Sequence, residues 1–257
     1  MITIVLIPGW HEKSNRMDTF VEGRKGKPGL RNLGYDCRFF PQGTEPLRER
    51  VDLLAAFLED LKAREPQAFP VVLFGYSAGG VIARGFLRAY PERIGEIACC
   101  IQLGAPNAGL ITNYVESILR RLGMPDAVVA DLDVASPFMT WLNGTSGHWI
   151  PTKIKGRKRW VLDRPPVIAP DGARIWHIVG SVPMFTDLSD GVVGTDSATL
   201  EGAVPHIVVE DRMANHLNLG GLFNFIAFFA RGFRSDDRMW QRCVDITHEY
   251  IQGHCSA

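Results

Sequence analysis

The sequence predicts an α/β fold: a mostly parallel sheet of about six strands, flanked by helices and interrupted by an insertion between strands four and five. Three observations predict it. Apolar, β-branched runs of strand length alternate with helical stripes, as strands covered on both faces and joined by helical crossovers require. The run Val71-Val72-Leu73-Phe74 passes through Gly75-Tyr76-Ser77-Ala78-Gly79 straight into a helical pattern. The alternation then fails between residues 105 and 172 and resumes afterwards.

Strand one spans residues 2–7, apolar almost throughout, and Pro8-Gly9-Trp10-His11 turns the chain out of the sheet. Polar, glycine-bearing residues 12–30 form a loop, followed by a short helix with Leu30 and Leu33 and by strand two at 35–40. Pro41-Gln42-Gly43-Thr44 is a turn, with Thr44 as N-cap of a helix over 45–64. Leu47, Val51, Leu54, Phe57, Leu58 and Leu61 make that helix's apolar stripe. Strand three is 71–74. The next helix starts at Ala78, runs to Tyr90 and stops at Pro91, and strand four is 97–103.

Residues 105–172 read as a cap inserted into a single domain of 257 residues. An amphipathic helix over 111–122 is followed by scattered prolines and glycines, with Trp141, Trp149 and Trp160 among them. The basic run Lys153-Ile154-Lys155-Gly156-Arg157-Lys158-Arg159 reads as a solvated hairpin or loop, with an anionic lipid surface as the alternative partner. Strand five (174–179) and strand six (205–210) follow, then an apolar helix over 217–229 and a last helix opened by Ser235-Asp236-Asp237.

Composition excludes several classes. Lys plus Arg equals Asp plus Glu, 28 against 28, so nothing points to nucleic acid. No apolar run approaches the roughly 18 residues of a membrane span. The first residues read directly as a core strand, without a basic region or a small-residue cleavage site, which predicts a cytoplasmic protein; a secreted chain already trimmed of its leader would look the same. Of five cysteines, Cys37, Cys99 and Cys100 are expected as core thiols, while Cys243 and Cys255 could pair. The odd count favours a reducing compartment. No Cys or His spacing suggests a metal.

Gly75-x-Ser77-x-Gly79 between strand and helix is the form of a nucleophile elbow. Side chains at Gly75 and Gly79 would clash with the crossing strand and helix, and the helix N-terminus favours a developing oxyanion. A serine hydroxyl needs an imidazole to take its proton and a carboxylate to orient that imidazole. These follow an elbow in chain order, acid then histidine, on loops after later strands. His216, in the loop after strand six, fits by position. His177 and His206 lie inside strands, His148 in the cap, His248 and His254 near the C-terminus, and His11 on the wrong side. Asp187, Asp190, Asp196 and Asp211 compete for the acid, and Asp190, before Gly191 and two valines, is preferred. The oxyanion donors would be the amides of Ala78 and of Trp10 in the turn after strand one. Tyr76, Ile111 and Trp141 are candidate substrate contacts. The cap's apolar residues (Tyr114, Val115, Phe138, Met139 and Leu142 with the last two) either line an acyl pocket or hold the cap together.

Four segments resemble the α/β-hydrolase superfamily, and within it bacterial triacylglycerol lipases and carboxylesterases. Leu6-Ile7-Pro8-Gly9-Trp10 is similar to the oxyanion turn, with Pro8 where the family usually has His, and Gly75-Tyr76-Ser77-Ala78-Gly79-Gly80 to the elbow. Leu103-Gly104-Ala105-Pro106-Asn107-Ala108-Gly109 resembles a Gly-Ala/Thr-Pro-His-x-Gly segment, with Asn107 for His. Ser189-Asp190-Gly191-Val192-Val193-Gly194 and Asn215-His216-Leu217 resemble the acid and histidine loops. The resemblance implies a cofactor-free serine ester hydrolase acting on small-molecule esters or lipids, with Ser77, Asp190 and His216 as its triad. Secreted relatives often hold calcium through an aspartate two residues past the histidine, where this chain has Asn218, and carry a disulfide cysteine where it has Asp196. The alternatives are a thioesterase or acyltransferase on the same triad, and a catalytically silent binding protein.

Overall fold

All five residues of β1 (Thr3–Ile7) are buried, because the strand is covered on both faces. Val5 and Ile7 join one apolar core and Ile4 and Leu6 the other, the period-2 alternation of a strand expressed as two layers. A computed structural model describes residues 1–9, 17–110, 125–144, 149–154, 157–162, 174–181, 197, 205–210 and 237–255.

The remaining strands are β2 (Asp36–Phe39), β3 (Val71–Tyr76), β4 (Ile97–Leu103), β5 (Trp149–Ile154), β6 (Arg157–Leu162), β7 (Ile175–Ser181) and β8 (His206–Glu210). Six of them form one sheet in the order β2-β1-β3-β4-β7-β8, and every pairing in it is parallel. Six parallel strands present all their carboxyl ends on one edge, where open α/β sheets carry their reactive groups. The helices are α1 (Asp18–Glu22), α2 (Leu47–Arg64), α3 (Ala78–Ala89), α4 (Asp126–Leu132), α5 (Pro137–Asn143) and α6 (Asp237–His254). One core takes Leu47, Val51, Leu54, Leu58 and Leu61 of α2, with Val81, Ile82 and Phe86 of α3. The other takes Phe20 and Val21 of α1, with Trp240, Cys243, Val244 and Ile251 of α6.

The structure alters several expectations. β3 continues two residues further, because Gly75 and Tyr76 stay in register with Gln102 and Leu103 of β4. β7 likewise extends to Ser181, which pairs with Glu210. Thr44 does not cap α2. The helix begins after Pro46, and the N–H of Leu47 donates to Asp131 Oδ2 of α4 at 2.6 Å, so the cap comes from a carboxylate remote in sequence. Burial raises the Asp131 carboxyl above its ordinary value, and the Leu47 N–H opposes that shift.

The segment read as irregular contains α4 and α5. Ser136 caps α5 by accepting from Met139 N at 3.0 Å, Pro137 occupies its first turn, and Gly144 closes it with left-handed φ of 64°. Val128, Val129, Leu132, Phe138, Met139 and Leu142 of these helices are buried in the α2–α3 core. The basic run lies on the antiparallel hairpin β5–β6, with Lys153 opposite Lys158 in register. The helix expected over 111–122 lies outside the described residues.

The cysteines pair differently as well. Cys99 is joined to Cys255, with Cα atoms 6.5 Å apart, tying β4 to the end of α6. Cys243 remains a buried thiol, as do Cys37 and Cys100. Cys243 cannot reach Cys255, because the helix between them sets the two about 18 Å apart, far beyond the roughly 7 Å that a disulfide spans. The odd count is thus one pair plus three buried thiols among the described residues.

The remote cap makes a stability prediction. Asp131→Ala should lower the unfolding free energy by about 1 kcal/mol, the usual value of a lost N-cap acceptor. A urea titration should show the midpoint falling with the slope unchanged, and an unshifted midpoint would remove Asp131 as the cap of α2.

Candidate functional site

Ser77 is the junction of β3 and α3. Its backbone is held at φ 53° and ψ −127°, a conformation that non-glycine residues rarely adopt and that costs on the order of 1–3 kcal/mol. Two backbone bonds fix this kink: Ser77 N–H donates to Leu103 O at 2.9 Å, and Gly80 N–H donates to Ser77 O at 2.9 Å. The crowding expected from the sequence is present. A methyl group at Gly75 would strike the Gly80 backbone, and one at Gly79 would strike the carbonyls of Ile7 and Pro8. The helix therefore starts hard against the end of β1.

The turn after β1 closes on the serine from the other side. A Cβ built on Gly9 would lie 2.9 Å from Ser77 Cβ and 3.0 Å from Tyr76 O. Gln42, at the carboxyl end of β2, steadies this turn by donating to Gly9 O at 3.1 Å. Tyr76 is the last residue of β3 and is buried beside Gly9. Ala78, the first residue of α3, is also buried. Gly9 and Ala78 share the wall of a small cleft, with Leu47, Ile82 and Val128 as apolar lining and Gln42 and Arg50 as polar lining.

Arg50 and Gln42 were not anticipated. Arg50 sits within the apolar stripe of α2, between Leu47 and Val51, and a charged residue there was the available signal. Its guanidinium lies 4.3 Å from the Phe40 ring centroid, donates to Pro41 O and pairs with Glu45 at 3.4 Å. Burial pushes its pKa down, and Glu45 partly restores it. Gln42 was legible only as the residue that follows a strand on the reactive edge.

Trp141 packs against Phe138 and stands between two cations, with Arg48 at 4.1 Å and Arg88 at 5.7 Å from its ring centroid. These contacts favour the reading in which the apolar residues of this segment hold it to α2 and α3. Asn107, in the loop after β4, is fully buried in a polar cluster with Gln102 and His177. His177 is accordingly a core histidine, as its place in a strand suggested. Trp10, Ile111, Asp190 and His216 lie outside the described residues, as do Asp187, Asp196 and Asp211. Among the described residues, no group of three or more His, Cys, Asp or Glu side chains could hold a metal ion, and no helix is long and apolar enough to cross a membrane.

A strained serine between a parallel strand and a helix, backed by a glycine turn, is the geometry around which one large family is defined. Residues 4–246 match the sequence pattern described as the Alpha/beta hydrolase family. The chain belongs to the alpha/beta hydrolase family. Solved hydrolase structures share its fold at low identity. A Bacillus licheniformis lipase in its mature form is 15% identical, with 100% of this chain and 92% of that one covered and a TM-score of 0.62. A metagenomic carboxyl esterase is 16% identical over 98% of this chain and 76% of its own, with a TM-score of 0.60. A Legionella pneumophila phospholipase is 14% identical over 99% of this chain and 63% of its own, with a TM-score of 0.56. No curated protein matches the chain by sequence.

The strained backbone of this alpha/beta hydrolase is directly testable. Ser77→Gly should stabilise the fold by about 1 kcal/mol, because the relief of strain exceeds the entropy glycine adds to the unfolded chain. Ser77→Ala should leave the strain in place and give no such gain. Chemical denaturation of the two variants separates them, and equal midpoints would mean that Ser77 is not strained.

Proposed function

We propose that the chain is a serine ester hydrolase that works through an acyl-enzyme on carboxylic esters with an apolar acyl chain. The observation that carries the reading is the kinked Ser77 backbone, which lifts a hydroxyl at the reactive edge of the sheet beside the Gly9 turn. Ser77 Oγ attacks the ester carbonyl while His216 takes the hydroxyl proton. The tetrahedral oxyanion accepts from the amides of Ala78 and Trp10. Collapse expels the alkoxide, to which His216 returns the proton, leaving the acyl group on Ser77. Water, deprotonated by His216, then releases the acid and regenerates the serine. Asp190 orients His216 and stabilises its protonated form.

Chain geometry supports the two partners. Asp190 follows β7 and His216 follows β8, and both strands deliver the chain to the edge that carries Ser77. The segment containing Asp190 ends at Ser197, whose hydroxyl donates to Gly109 O at 2.6 Å and whose carbonyl accepts from Ala108 N. The chain on either side of Asp190 is thus fixed at Ser181, at the carboxyl end of β7, and at Ser197, against the loop after β4. The apolar wall of Leu47, Ile82 and Val128 beside Ala78 supports an apolar acyl group.

A fluorophosphonate probe should form its adduct on Ser77. Ser77→Ala and His216→Ala should each reduce hydrolysis of p-nitrophenyl butyrate by a factor of about a thousand or more. Absence of an adduct on the folded protein would leave a silent binding protein. Faster turnover of thioesters, or transfer to added alcohols, would move the activity to thioester hydrolysis or acyl transfer on the same triad.

A further inference from the structure

An extended polar network among the described residues lies buried beside the elbow, and the chemistry just described makes no use of it. Gln102 is the penultimate residue of β4, fully buried, and in register with Gly75 of β3 on one side and His177 of β7 on the other. Because Gly75 has no side chain, Gly80 lies close against β3, and Gln102 Nε2 donates to Gly80 O at 2.7 Å. Gly80 lies in the first turn of α3 and is the residue whose N–H donates to Ser77 O. Gln102 and Asn107 hold one another reciprocally: Asn107 Nδ2 donates to Gln102 Oε1 at 2.6 Å, and Gln102 Nε2 donates to Asn107 Oδ1 at 3.1 Å.

Asn107 is fixed in turn. Its carbonyl accepts from Arg84 Nη1 of α3 at 2.9 Å, and its Nδ2 lies 3.2 Å from His177 Nδ1. His177 Nε2 lies 3.0 Å from the N–H of Ala105. Ala105 presses on the elbow directly, since a Cβ on Gly80 would lie 2.5 Å from Ala105 Cβ. The end of β4 thus grips the first turn of α3 at its backbone, with Leu103 holding Ser77 N–H and Gln102 holding Gly80 O. The same turn begins with Ala78, so a shift there displaces Ser77 and the amide assigned to the oxyanion together.

We propose that Gln102, oriented by Asn107, is a positioning residue for acylation of Ser77: its amide fixes the first turn of α3 so that nucleophile and oxyanion donor hold their mutual geometry. The proposal rests on the serine-hydrolase reading above. A displacement of well under an ångström at reacting atoms costs rate rather than binding, because ground-state contacts are less demanding than the transition state.

The test compares the parent with Gln102→Met, which keeps length and loses the donor, and Asn107→Ser, which releases Gln102 from one side. The readouts are the second-order rate of fluorophosphonate labelling, kcat and KM for p-nitrophenyl butyrate, and the thermal midpoint. Both variants should stay folded, label Ser77 about tenfold or more slowly, and lose kcat with KM within about twofold of the parent. The larger loss should belong to Gln102→Met. Labelling and kcat within twofold of the parent in folded protein would overturn the proposal, as would a loss confined to KM. If neither variant folds, the network serves stability alone and the proposal falls. A parent that is not labelled on Ser77 would instead overturn the serine-hydrolase reading.

Discussion

The structure depends on the kink at Ser77. A strand cannot turn into a helix in so short a space with ordinary backbone angles, so one residue carries a positive φ and its neighbours give up their side chains. The constraint reaches far. Gly79 lets α3 start against the carbonyls of β1, and Gly75 lets the same helix lie close over β3. The missing side chain at Gly75 also lets Gly80 approach β3, within reach of the Gln102 amide. Three strands, one helix and two loops therefore meet within a few ångströms of a single backbone torsion.

Around that point, the two halves of the molecule contribute differently. The β1–β3–β4 half is closely packed, with β1 and β3 buried along their whole length and α2 and α3 pressed onto one face. It holds Ser77 in place. The β7–β8 half extends the sheet beyond β4, with the carboxyl ends of both strands on the same edge. The disulfide from Cys99 to Cys255 links the centre of the sheet to the end of α6, the helix that covers the opposite face.

What was legible in the sequence was what is local. β4 has its expected bounds, and the other five strands of the large sheet shift by one or two residues, because strand length and apolar run coincide when both faces are buried. The elbow was legible for the same reason: strand, glycines, serine and helix are contiguous. The features that eluded the sequence join residues far apart in it. Asp131 caps α2 across 84 positions, and Cys99 meets Cys255 across 156. Nothing near Leu47 announces the first, and Thr44 was a plausible local substitute. The α4–α5 pair was hidden by its own brevity, since seven-residue helices give too few turns for a period to register. Asn107 stood out only as a departure from a family pattern, and its burial against Gln102 and His177 explains why an amide occupies that place.

A likeness to lipases and esterases near 15% identity establishes the fold alone, because this fold carries many chemistries and silent members. The stronger argument for chemistry is energetic. At φ 53°, glycine would relieve a strain on the order of 1–3 kcal/mol, which is a large share of the stability of a marginally stable domain. Room for the Ser77 side chain depends on Gly9 having none, since a Cβ at Gly9 would lie 2.9 Å from Ser77 Cβ. On the proposed reading, a hydroxyl kept in a strained place, at the edge where six parallel strands end, is explained by its role as nucleophile. The glycines and the amide network around it hold the strained turn in one conformation.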